Sequence, residues 1–177
     1  GIVKYDGTRF FPFSVGQFPA LVNVRDIIEL DKGRLLILTF NGLYIYDGSS
    51  LYSADRQYGL MNQYQFSDAL IDGNTLWLAT QGNGVFRFNN GNIEHFSIDN
   101  GSLRSNQVHS LFRDNNGSIW ICTNSGISQY NNGNIITYTT ENGLNNTIIL
   151  QITQDHFGRY WIETFSGGIN IIDEGQF

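Results

Sequence analysis

The sequence predicts an all-β protein made of four-stranded antiparallel units that recur every 41–43 residues, and three observations carry that prediction. Leu76-Trp77-Leu78-Ala79-Thr80 returns as Ile119-Trp120-Ile121-Cys122-Thr123 and as Tyr160-Trp161-Ile162-Glu163-Thr164, with a weaker copy at Leu35-Leu36-Ile37-Leu38-Thr39. The threonines stand at 39, 80, 123 and 164, in steps of 41, 43 and 41. Each is followed at short distance by a glycine-led apolar run, and no segment carries a helical period. A period of this length marks units that bury their apolar faces against one another.

The elements follow in order within each unit. The glycine-led strands are Gly42-Leu43-Tyr44-Ile45-Tyr46, Gly84-Val85-Phe86-Arg87-Phe88, Gly126-Ile127-Ser128-Gln129-Tyr130 and Gly168-Ile169-Asn170-Ile171-Ile172. Asp47-Gly48, Asn90-Gly91 and Asn132-Gly133 come next, and such pairs supply the positive φ angles of two-residue hairpins. An outer strand such as 134–139 follows, and a polar stretch over 141–146 leads to an inner strand over 148–154. The inner strands end in Asp31, Asp72, Asp114 and Asp155, which open turns back into the Trp strand. Inner, Trp, glycine-led and outer strands in about forty residues make a β-propeller blade. The recurring Trp residues are read as packing between blades, because function rarely repeats with the period of the scaffold.

The chain opens with a glycine-led strand (1–5) and an outer strand (9–13), and closes with inner, Trp and glycine-led strands that end near Ile172. A single propeller segment of about four blades is therefore expected: a partial blade over 1–30, blades over 31–65, 66–106 and 107–147, and a partial blade over 148–177. Because Gly1 stands inside a repeat, a segment of a larger propeller is expected. Closing four blades into a ring strains them, and an open stack exposes apolar faces. Two copies joined head to tail in a closed homodimer satisfy both constraints.

Composition excludes several classes. The net charge of −6, with no basic stripe, argues against nucleic acid. No apolar run approaches a membrane span, and no signal-peptide pattern is present, so no membrane contact by this segment is expected. The lone cysteine, Cys122, excludes an internal disulfide and a Cys-based metal site, and reads as a packing residue. The three histidines fall on different strand types, and none of the familiar hydrolase, nucleotide or zinc motifs occurs. Asp114-Asn115-Asn116-Gly117 begins like a calcium loop but lacks the distal Glu. No catalytic set, metal or cofactor is expected.

One run of residues is more specific. Leu103 to Val108, Leu111, Asp114, Gly117, Ile119-Trp120-Ile121, Thr123, Gly126-Ile127, Tyr130 and Gly133 resemble the two-component regulator propeller repeat. The resemblance extends over the chain in four phased copies, with Leu36 replacing Trp in the first. It implies a periplasmic sensor propeller of a membrane-anchored regulator that detects carbohydrate fragments, with any kinase in a larger parent. In such a fold ligands enter over the outer-to-inner and Trp-to-glycine loops. Those loops include Phe40-Asn41, Arg56-Gln57-Tyr58, Gln63-Tyr64, Gln81, Asn83, Arg104, Asn106, Asn124, Asn145-Asn146 and Phe165-Ser166. Rings that stack on sugars and amides that meet hydroxyls suit saccharide recognition. The candidate ligand-binding residues are Arg104, Tyr58, Tyr64, Asn106, Gln81, Asn145 and Phe40, and an oligosaccharide is the expected partner. Two other classes stay open: a protein-interaction propeller without a small ligand, and a propeller-type lyase or glycosidase. The last needs paired carboxylates, whereas the acids here fall mostly at turns.

Overall fold

Strand pairing follows the repeat. The computed structural model describes residues 1–14, 23–40, 42–54, 57–60 and 64–173. Strand β1 (Val3–Tyr5) pairs with β2 (Phe10–Pro12). A four-stranded sheet holds β3 (Val24–Glu29), β4 (Leu35–Thr39), β5 (Gly42–Tyr46) and β6 (Leu51–Ser53). A second holds β7 (Phe66–Asp72), β8 (Thr75–Thr80), β9 (Val85–Asn89) and β10 (Asn92–Phe96). A third holds β11 (Val108–Arg113), β12 (Ile119–Thr123), β13 (Gly126–Asn131) and β14 (Asn134–Tyr138). The last has three strands, β15 (Ile149–Gln154), β16 (Tyr160–Thr164) and β17 (Ile169–Ile172).

Each sheet lies in chain order, as blades of a propeller do. The first complete sheet begins at β3, so the strand over 24–29 belongs with β4 and not with a partial blade over 1–30. The chain divides into two compact units, 1–67 and 68–177, where the sequence predicts a single segment.

Local chemistry explains the recurring letters. Thr39, Thr80, Thr123 and Thr164 each donate their hydroxyl to the carbonyl of the glycine that opens the next strand, at 2.8–2.9 Å. Three of these hydroxyls also accept a loop amide, from Asn83, Ser125 and Gly167. The threonine is thus a latch on the turn, which satisfies loop groups that a buried turn would otherwise leave unpaired.

Glycine is required at 84 and 126 for two reasons. Both have positive φ, and a Cβ there would fall on the carbonyl oxygen of Phe96 or Tyr138 at the end of the outer strand. At Gly168 the space is open, and among the described residues no further strand pairs with β17.

Asn90-Gly91 and Asn132-Gly133 take positive φ at both positions, the two-residue turn predicted. Asp47-Gly48 does not, since only Gly48 has positive φ. There the Asp47 carboxylate accepts the amides of Ser49 and Ser50 and builds a longer loop.

In the second unit the sheets pack face to face. Trp77, Ala79 and Val85 meet Val108, Leu111, Ile119 and Ile121 of the next sheet. Trp120, Cys122 and Ile127 meet Ile152, Ile162 and Ile172 of the one after. Tyr130 sits edge-on to Trp77 at 4.9 Å between ring centroids, and Tyr160 lies 5.0 Å from Trp120. These are the aromatic contacts that make the recurring Trp a joint between sheets. Cys122 is fully buried in this joint, where burial pushes its thiol up to about 12.

Hydrogen bonds tie the same sheets together near the repeat spacing. Asp68 Oδ2 accepts the Leu111 amide, and Ser110 Oγ donates to the Leu150 carbonyl. Arg113 pairs with Asp72 at 2.7 Å.

The inner-strand aspartates do more than turn the chain. Asp114 is buried, and its Oδ1 accepts the amides of Asn116 and Ser118. Its Oδ2 accepts both the Trp120 indole N–H and the Tyr160 hydroxyl of the next sheet. One carboxylate therefore fixes a turn, orients a Trp and receives the neighbouring sheet. Burial, with the hydrogen bond to Asp114 after it, pushes the Tyr160 phenol up to about 12. Asp155 repeats part of this, taking the Trp161 indole and the Arg159 guanidinium on Oδ2. Asp72 instead pairs with Arg113, and the buried Trp77 indole N–H has no hydrogen-bond partner among the described residues.

Three outcomes follow from this packing. Trp120→Ala empties a joint between sheets and is expected to cost about 3–5 kcal/mol in denaturant unfolding. Trp161→Ala, at a half-exposed position, is expected to cost clearly less. Asp114→Asn removes the acceptor for two donors and is expected to cost about 2–3 kcal/mol. By contrast, Asp72→Asn, at a surface ion pair, should stay below about 1 kcal/mol.

The third outcome is a pH dependence. Burial alone would raise the Asp155 carboxyl, but the Trp161 and Arg159 side chains and the amides of Arg159 and Phe157 outweigh it and hold it below the usual carboxylate range. A depressed folded-state value means the stabilisation is complete above about pH 4 and fades as pH falls toward the folded value. Melting temperatures of the parent and of Asp155→Asn should therefore converge as the pH is lowered from 6 to 3.

Candidate functional site

A groove of about 570 Å³ opens on the second unit, lined by Arg104, Asn124, Ser125, Thr139, Thr140, Glu141 and Thr147. Four chain segments make it. Arg104 stands in the loop that leads into β11, and Asn124 and Ser125 form the latch loop between β12 and β13. Thr139 to Glu141 follow β14, and Thr147 precedes β15.

The third of these segments is built by a capping box. Thr139 accepts the Glu141 amide on its hydroxyl, and the Asn142 side chain accepts the Thr139 amide, which caps a single 3-10 turn over Thr140–Asn142. Gly143 then closes the turn in the left-handed region. The turn presents Glu141 to solvent while Leu144 returns to the core.

Two opposite charges face this groove without internal partners. Arg104 is exposed, and its guanidinium makes no hydrogen bond or ion pair to any described residue. The same holds for the Glu141 carboxylate. Around them are the hydroxyls of Ser125, Thr139, Thr140 and Thr147 and the Asn124 amide. Asn124 is held from below, since its Oδ1 accepts from His109 Nε2 at 2.6 Å and leaves its N–H groups for the groove. His109 is thus a hydrogen-bonded inner-strand residue. The site offers donors in excess, one free cation and one free anion, a set that matches polyhydroxylated ligands.

The other sequence candidates fall in different places. Asn106 is engaged by the backbone: its Oδ1 accepts the Ile98 amide, and its carbonyl accepts the amides of Gly82 and Gly84. Gln81 forms an isolated antiparallel bridge with Gln107. Asn145 is exposed next to the groove segment, and its amide donates to Asn170 Oδ1.

Phe40, Tyr58 and Tyr64 belong to the first unit. Phe40 lies under the Arg25 guanidinium at 5.7 Å. Tyr58 is half-buried, which raises its phenol above the usual value, and Tyr64 packs against Phe66. Asn41, Arg56 and Gln63 lie outside the described residues.

Of the residues singled out in the sequence, the structure brings Arg104 and Asn124 together in the groove. Ser125, Thr139, Thr140, Glu141 and Thr147 were not singled out. The Thr139-x-x-Asn142 spacing of a capping box was the available signal for the third segment. Among the described residues no cluster of His, Cys, Asp and Glu could hold a metal ion, and no helix is long and apolar enough to cross a membrane.

Comparisons with known proteins bear on the fold. The chain is similar to the extracellular domain of the hybrid two component system BT3049 of B. thetaiotaomicron, with 23% identity and a TM-score of 0.74 over 93% of this chain and 23% of that one. It is similar to the corresponding domain of BT4673 from the same organism, with 22% identity and a TM-score of 0.70 over 94% of this chain and 23% of the other. Virginiamycin B lyase of Staphylococcus aureus shares the fold at 14% identity and a TM-score of 0.63, over 93% of this chain and 59% of the lyase. The chain thus spans about a quarter of the length of the first two. No curated protein matches it in sequence. The strands, their order and these superpositions are those of β-propeller blades, and residues 102–125, from the Arg104 loop through β11 and β12 to the latch loop, match the family model of the two component regulator propeller.

Proposed function

We propose that this chain is a ligand-sensing segment of an extracytoplasmic propeller and that the groove around Arg104 and Glu141 receives an oligosaccharide. The observation that carries this reading is the pair of unpartnered charges ringed by hydroxyls and an oriented amide in one groove. A sugar offers both hydrogen-bond donors and acceptors on each ring. Arg104 meets its acceptors, Glu141 meets its donors, and the threonine and serine hydroxyls serve either. The repeat over 102–125 and the likeness to extracellular domains of two component systems support an extracytoplasmic setting.

Binding without turnover is the better fit. Glu141 is the one carboxylate among the groove-lining residues, and glycosidic hydrolysis calls for a pair. The fold itself is shared with a lyase, so turnover belongs among the outcomes to be measured.

The test is calorimetric titration of the protein with a panel of neutral and acidic oligosaccharides. A hit should weaken at least about tenfold in Arg104→Ala and in Glu141→Ala, about 1.4 kcal/mol each, while both variants melt with the parent. Tyr58→Ala, in the first unit, should leave the affinity unchanged if the groove alone binds. Silence across the panel, or conversion of any saccharide by the protein, would sink the proposal.

A further inference from the structure

The groove on the second unit has two sides of opposite charge. The latch loop of Asn124 and Ser125 runs between them. On one side this loop is held to the connection that carries Arg104, since the Asn124 amide donates to the Gln107 carbonyl at 3.2 Å. On the other, the Gly126 amide donates to the Thr147 carbonyl at 2.7 Å, and Gly126 abuts the end of β14 at Tyr138 and Thr139. Glu141 stands on this second side, on the capped turn after β14.

Both charges sit on pinned backbone. Arg104 lies between Leu103 and Ser105, which are 4% and 6% exposed. The Leu103 amide donates to the Ser97 carbonyl, and Ser105 Oγ accepts the Gln107 amide. Glu141 is fixed inside the capping box, where its amide donates to the Thr139 hydroxyl. The anchoring of both residues is set before a ligand arrives, which limits the ordering cost of binding. His109 adds a third fixed group. Its Nε2 donates to Asn124 Oδ1 at 2.6 Å, so the Asn124 side chain keeps only donors for the groove.

Arg104 and Glu141 do not pair with each other. A singly charged ligand therefore meets one attraction and one repulsion in the same groove. A neutral ligand compensates neither charge. A molecule with one anionic and one cationic group compensates both, and doing so fixes its orientation.

We propose that the ligand of this groove is an amino sugar acid, whose carboxylate meets Arg104 and the Asn124 amide and whose protonated amine meets Glu141. This assignment rests on the oligosaccharide reading of the groove. The ring hydroxyls are left to Ser125, Thr140 and Thr147.

Four related sugars separate the two charges. Muramic acid carries both, N-acetylmuramic acid only the carboxylate, glucosamine only the amine, and N-acetylglucosamine neither. Calorimetric titration at about pH 6 keeps the amine protonated and the carboxylate ionised. Muramic acid should bind at least about tenfold more tightly than each of the other three. Arg104→Ala should abolish its advantage over glucosamine, and Glu141→Ala its advantage over N-acetylmuramic acid, with melting curves unchanged. Equal affinity for the four sugars, or an advantage that survives both substitutions, overturns the assignment and leaves the saccharide reading standing. A neutral or singly charged oligosaccharide that binds where muramic acid does not has the same consequence. Triglycine carries the two charges without the hydroxyls, and binding as tight as that of muramic acid would remove the saccharide reading as well. Silence of all these compounds and of the oligosaccharide panel ends both.

Discussion

The joint between consecutive sheets is the interaction on which the rest of the second unit depends. A four-stranded antiparallel sheet has two faces and cannot bury either alone. Here each sheet offers a Trp, and the next offers branched aliphatics and a Tyr. The joint over Trp120 is fixed further by Asp114, whose single carboxylate holds its own turn, the Trp120 indole and the Tyr160 hydroxyl from across the gap. Apolar area supplies the driving force and the carboxylate supplies the register. The joint over Trp77 lacks the second component. Asp72 pairs with Arg113, and the Arg87 guanidinium lies over both Trp77 and Tyr130 while it bonds Glu94. One repeat thus solves the same packing problem in two ways.

Stacking the sheets also decides where loops gather. The Thr latch closes each Trp-to-glycine loop tightly, so those loops are short, well paired and alike. Variation is left to the outer-to-inner connections, which differ in length and in capping. The groove forms where one latch loop meets two of these connections. A rigid scaffold that presents variable loops on one side is how a repeat fold acquires a ligand without altering its core. Arg104 and Glu141 cost the fold little, because both are exposed to solvent.

By itself the sequence determined the blade. The 41–43 residue period, the Trp and Thr positions, the glycine-led strands and the Asn-Gly turns all report local rules that each unit obeys separately, so each is readable along the chain. The glycine requirement at 84 and 126 is of this kind, because the close approach it relieves is made within the same unit. Arg104 was legible as a charge in a connecting loop.

Only the tertiary structure decided which residues share the groove and which are spent on the fold. Asn106 has the composition of a binding residue, yet three backbone amides claim its oxygens. Thr139, Thr140 and Glu141 look like linker, yet a capped 3-10 turn carries them beside a loop from another hairpin. The difference between Asp114 and Asp72, identical in the repeat pattern, likewise arises from neighbours some forty residues away. Spacing reports what a unit does to itself. What units do to one another depends on side chains that meet only after the sheets are stacked.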